Sequence, residues 1–176
     1  MIPALLAEIK PICTAALFNE LAHLPPSLEL VRIDYVLATS DDVRSKRGIF
    51  NRDIRSAFLC HVGVHHAADL TAMGLNNAAI ESMREYGEYP QNTRGERLNV
   101  SIDHIRSLNF GGTNDFDNLT LLPKHLNALK DTLENLQFQK GDVEGRLVTI
   151  MPRLVDGHYP KVPYIEGGFQ RAKLNN

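Results

Sequence analysis

The chain of 176 residues, 43% of them apolar and with no long low-complexity tract, is sized for one domain with a real core. Its 19 basic and 21 acidic residues give a net charge of −2, which argues against a uniformly basic coat and leaves any phosphate binding to a local patch or a bound cation. Two cysteines without a CxxC pair give no support to a structural zinc knuckle and are expected as reduced thiols; no apolar run reaches the roughly 18 residues of a membrane span, and the N-terminus lacks the pattern of a signal peptide.

Residues 3–23 predict a helix, because Leu5, Ile9, Ile12 and Ala16 share one face; Pro11 should kink it and Pro25-Pro26 should follow its end. Residues 28–38 (LELVRIDYVLA) fit neither the helical nor the strand period and stay open between the two. Residues 51–70 predict a second helix, with Asn51 as N-cap and Ile54, Phe58, Val62 and His65 in one stripe. A third runs over 77–86, with Ile80 and Met83 on one face and Gly87 placed to end it. The polar, turn-rich segment 88–97 is a connector.

Residues 98–105 alternate: Leu98, Val100 and Ile102 against Asn99, Ser101 and Asp103, the mark of a half-buried strand. A loop over 106–118 carries the Gly111-Gly112 turn, 119–122 is a second short strand, and Pro123 suits the first turn of a helix running to about Gln137. The tail, 141–176, is expected to be irregular, with a strand over 146–151. The expected class is α+β, a mostly helical domain around a strand–loop–strand–helix core. Residues 1–90 would be a helical accessory region, 91–140 the core and 141–176 the tail of one compact unit.

The core segment sets Asp103 beside His104, then Asn118, His125 and Asn127. A carboxylate and an amide oxygen suit a hard cation such as Mg²⁺ or Mn²⁺, and a neighbouring imidazole can take a proton from water; together these suffice to hydrolyse a phosphodiester. Strand neighbours point to opposite faces, so an irregularity is expected at Asp103-His104. On the helix, Leu126, Leu129, Leu133 and Leu136 form the core stripe. His125 and Asn127 lie roughly 200° apart, so both can hardly reach one ion, and Asn127 is favoured over His125.

These residues resemble the HNH endonucleases, whose fold is the ββα-metal (His-Me) finger. The likeness is carried by Asp103-His104-Ile105, Gly111-Gly112-Thr113-Asn114, Asp117-Asn118-Leu119 and Asn127, spaced as in the variant of the family that ends in asparagine. It implies His104 as general base, Asp103 and Asn127 (with His125 as rival) as ligands of one divalent metal, and Asn118 fixing the loop and orienting His104. Mg²⁺ or Mn²⁺ is favoured, with Zn²⁺ or Ni²⁺ as alternatives. The implied activity is metal-dependent endonucleolytic cleavage of DNA in the cytoplasm. The alternatives are an inactive nucleic-acid-binding module of the same fold, or a toxin domain delivered into a target cell and neutralised by an immunity protein.

Arg94, Arg97, Arg106 and Lys124 lie near the motif in sequence and are the expected grip on the substrate strand. Arg44, Lys46, Arg47, Arg52 and Arg55 form a second basic group, read as a solvated face or as a phosphate track. His61, His65 and His66 have metal-compatible spacing but no evident third ligand, which favours a structural role.

Overall fold

The computed structural model describes residues 3–138 and 143–170. The class is α+β, with most of the regular structure helical. Helix α1 (Ala4–Ile9) runs into a 3₁₀ turn over Lys10–Ile12, and α2 (Ala15–Ala22) starts afresh with the Thr14 side chain accepting from the Leu17 N–H. The single kinked helix expected over 3–23 is therefore two helices, broken after Pro11. Leu28–Val36, left open by its pattern, is strand β1.

The second helix begins earlier than expected. Thr39 caps α3 (Ser40–Ile49), accepting from the Asp42 N–H, and the backbone continues through a π-helical turn at Phe50–Ile54 into α4 (Arg55–His65). Asn51 lies inside that π turn and caps nothing. Helix α3 buries no residue, so it has no apolar stripe to announce it; its start is written instead in Thr39 and in the acids Asp41 and Asp42 of the first turn. His66 interrupts the path before α5 (Ala67–Ala72), and α6 (Asn77–Tyr86) ends at Gly87, as expected.

Strands β2 (Val100–His104) and β3 (Leu119–Pro123) pair antiparallel, and α7 (Lys124–Gln137) follows directly. Pro123 occupies the N-cap position and closes β3 as well. Two 3₁₀ turns, at Leu108–Phe110 and Phe116–Asn118, shape the loop between the strands. Strand β4 (Glu144–Pro152) pairs antiparallel with β1 along its full length. The strand expected over 146–151 is present and longer, nine residues in all; residues 141–142 and 171–176 of the expected tail lie outside the described residues.

One buried cluster draws on residues from Leu6 to Phe169, including Phe58, Val62, Met83, Leu119, Leu133 and Ile150. The last part of the chain seals the hairpin: the Leu121 N–H donates to Lys161 O, and the Thr120 hydroxyl donates to Pro160 O. On α7, Leu126, Leu129 and Leu133 are buried, but Leu136 is 46% exposed and leaves the core stripe. No helix among the described residues is long and apolar enough to cross a membrane. Both cysteines are free thiols.

Candidate functional site

The hairpin and α7 enclose one side of a polar cavity of about 380 Å³. Asp103 and His104 reach it from the end of β2, Asn127 and Asp131 from α7, and Arg47 and Phe50 from α3 and its π turn. The β2–β3 register is regular through Asp103↔Thr120 and His104↔Leu119. No bulge is present; the strand ends at His104, and this ending lets neighbouring side chains share one cavity.

His104 is held by Asn114, a residue that the motif included in its turn without giving it a role. Its Nε2 lies 3.0 Å from Asn114 Oδ1, while Asn114 Nδ2 donates to Lys46 O at 2.9 Å. The Lys46 carbonyl can only accept, so it fixes which end of the Asn114 amide faces the ring. Asn114 Oδ1 must then accept from Nε2–H, and the lone pair of a neutral imidazole sits on Nδ1. The Phe50 ring packs against the imidazole with centroids 4.9 Å apart. Burial lowers the His104 pKa, the Asn114 bond opposes this, and the Lys130, Arg47 and Lys46 charges lower it further. The ring is therefore neutral, and able to accept a proton, over a wider pH range than a free histidine.

Asp103 is 5% exposed and is met by a fully buried cation. Lys130 Nζ donates to Asp103 Oδ2 at 2.8 Å, to His104 O at 2.6 Å and to Ile105 O at 2.9 Å, using all three of its protons. No hydrogen bond from a described residue reaches Asp103 Oδ1. Burial pushes the Asp103 carboxyl up to about 6; Lys130 pulls it down, and Glu134 and Asp131 push it up. Because the folded value is raised, the resulting stability is fully present below the unfolded value and is lost as pH rises through about 6. Urea titrations between pH 4 and pH 7 should therefore show the native protein losing stability relative to Asp103→Asn as pH rises, with a plateau above about 6; an opposite slope would contradict the burial argument.

The donors fit a hard ion that keeps much of its water: one carboxylate oxygen without a described partner, and the Asn127 amide across the same cavity. Among the described residues no three His, Cys, Asp or Glu side chains gather into a metal-binding group. His125 is exposed and does not line the cavity.

Asn118 sits behind the site and clamps the loop. Its Oδ1 accepts from the Arg106 N–H at 2.8 Å, and its Nδ2 donates to Arg106 O at 3.0 Å and Thr113 O at 2.8 Å. It does not touch His104, so the orienting role expected of it belongs to Asn114. Asn118→Ala should cost about 1.5–4 kcal/mol from three lost hydrogen bonds, measured by chemical denaturation. The Gly-Gly turn serves the same closure: Gly111 has φ +84°, and a Cβ on Gly112 would lie 1.9 Å from Arg106 O.

The expected strand-gripping residues lie elsewhere. Arg97 covers the Tyr89 ring at 3.6 Å, Arg94 sits in the exposed 92–97 turn, Lys124 is exposed at the start of α7, and the Arg106 guanidinium donates to Asp34 O. None of the four lines the cavity; Arg47 does. Lys46, its neighbour, donates to Gly112 O at 2.9 Å and ties α3 to the loop. Sequence proximity misled here, because a helix more than fifty residues upstream folds across the motif. The His61 ring packs on His65 and Phe116 with centroids 4.6 and 5.1 Å apart, away from the cavity.

The chain is 33% identical over 95 residues, 54% of its length, to Uncharacterized protein YhhZ of Escherichia coli (strain K12). It spans 21% of that protein's length. No family model and no solved structure matches it.

Proposed function

We propose that this protein is a metal-dependent endonuclease of the HNH type, hydrolysing phosphodiester bonds in DNA. The observation that carries the reading is the meeting of Asp103, His104 and Asn127, from a strand end and a separate helix, on one polar cavity with Arg47 at its wall. His104, neutral and held through Nε2–H, takes a proton from water as the water oxygen attacks phosphorus. The Arg47 guanidinium faces the phosphate oxygens and offsets their charge. Asp103 and Asn127 would hold one divalent cation, which when bound neutralises charge on the phosphate and the leaving oxygen. Of the basic group on α3, its π turn and α4, Arg47 supplies positive charge at the cavity, while Arg44 and Arg52 pair with Asp41 and Asp53.

Cleavage of supercoiled plasmid and of a single-stranded DNA circle across Mg²⁺, Mn²⁺, Zn²⁺ and Ni²⁺, with a chelator control, tests the reading. Cleavage of either form in at least one metal, abolished by the chelator, is expected; none in any metal would refute it. A second reading, a module of this fold that binds nucleic acid without cutting, draws on Lys130, whose ammonium already neutralises Asp103. Calorimetric titration with Mn²⁺ separates the two, since the module would bind no ion. An immunity protein belongs to the proposal only as a toxin's partner, and toxicity on expression, relieved by the adjacent reading frame, is its test.

A further inference from the structure

Beside the polar cavity lies a second one of about 540 Å³, walled off in part by Asn109 and Asn135, which border both. Arg47 and Phe110 line both spaces. The chemistry changes across them: Asp103, His104 and Asn127 wall only the first space, while Leu37, Ala38, Val43 and Phe138 wall only the second, with Ser40 and Arg44 at its edge. Helix α3 turns Ser40, Val43, Arg44 and Arg47 to this compartment, positions three, one and three apart that form one helical face. Val43 thereby places an apolar side chain on it, although α3 buries nothing. Phe110 is 3% exposed and packs on Tyr35 at 5.0 Å and Phe138 at 6.4 Å between centroids, so it backs the compartment from behind.

We infer that this compartment takes an unpaired nucleobase next to the scissile phosphate, so that the substrate is a single-stranded stretch of DNA. The inference rests on the endonuclease reading and names its substrate class. A nucleotide carries an anionic phosphate and an apolar-faced ring side by side; a polar cavity, a guanidinium and an apolar compartment in series match that order. A base inside a duplex is stacked and paired and cannot turn into such a space without leaving the helix. A base seated among Leu37, Val43 and Phe138 is held by its faces, which every base has, so recognition tolerates any sequence.

The test is fluorescence anisotropy on the purified protein in EDTA, where nothing is cut, with a short oligo-dT and an abasic strand of equal length and charge. The oligo-dT should bind at least about fivefold more tightly, the low end of one stacked base. Val43→Trp, which fills the compartment, should remove the difference while leaving affinity for the abasic strand unchanged. Val43→Glu, which makes it acidic, should also remove the difference and serves if the tryptophan variant does not fold. Equal affinity for the two strands in the native protein, or discrimination surviving in a folded Val43 variant, overturns the inference. Cleavage with Mn²⁺ is measured alongside: base discrimination without cleavage in any metal removes the endonuclease reading and keeps the compartment, and cleavage without base discrimination does the reverse.

Discussion

Lys130→Met is expected to destabilise the protein by about 3–5 kcal/mol, the cost of leaving one partner of a buried ion pair alone. Lys130 is fully buried, and its ammonium is the only hydrogen-bonding partner of the Asp103 carboxyl among the described residues. Its loss strands a 5%-exposed carboxyl and removes a donor from the carbonyls of His104 and Ile105. Those two carbonyls lie where β2 turns into the loop, so the damage falls on the backbone that aims the imidazole. Urea unfolding followed by circular dichroism measures the loss. The double variant Lys130→Met with Asp103→Leu should lie closer to the native protein than the single one, because an apolar pair of similar volume removes the unpaired charge. A single variant within about 1 kcal/mol of the native protein would show that the pair holds nothing up.

The largest expected effect on activity is that of His104→Ala. If His104 is the general base, cleavage should fall by about 10²–10⁴-fold. The variant should still fold: it loses one hydrogen bond to Asn114 and the packing on Phe50, while the Lys130 bonds to Asp103 and the two carbonyls stay in place. Cleavage of whichever DNA form the native protein cuts, in its best metal, is the measurement. An alanine variant that cuts as well as its parent would remove His104 from the chemistry and with it the proposed mechanism. Asn114→Ala should fall between the two, since it releases the tautomer and keeps the base.

Some of this molecule was legible along the chain and some was not. The alternation over 98–105, the Gly111-Gly112 turn and the leucines at 126, 129 and 133 are local signals of period and turn chemistry, and the hairpin and α7 follow them closely. Leu136 departs because a stripe read from spacing continues past the point where the core ends. Helix α3 was invisible to an apolar pattern because it has no buried face. Strand β1 was ambiguous because its burial does not alternate cleanly; its identity comes from pairing with β4, more than a hundred residues later.

The sequence by itself determined the α+β hairpin and helix and placed Asp103, His104 and Asn127 on them, because period, turn residues and helix angle act over a few neighbours. The tertiary structure alone decided what surrounds those groups: Asn114 on the imidazole, Lys130 against Asp103, Arg47 at the cavity, and Asn118 as a clamp without contact to the ring. These partners are joined across loops and between elements, where the deciding quantity is which buried polar group finds a complement, and that is set by the packing of the whole chain.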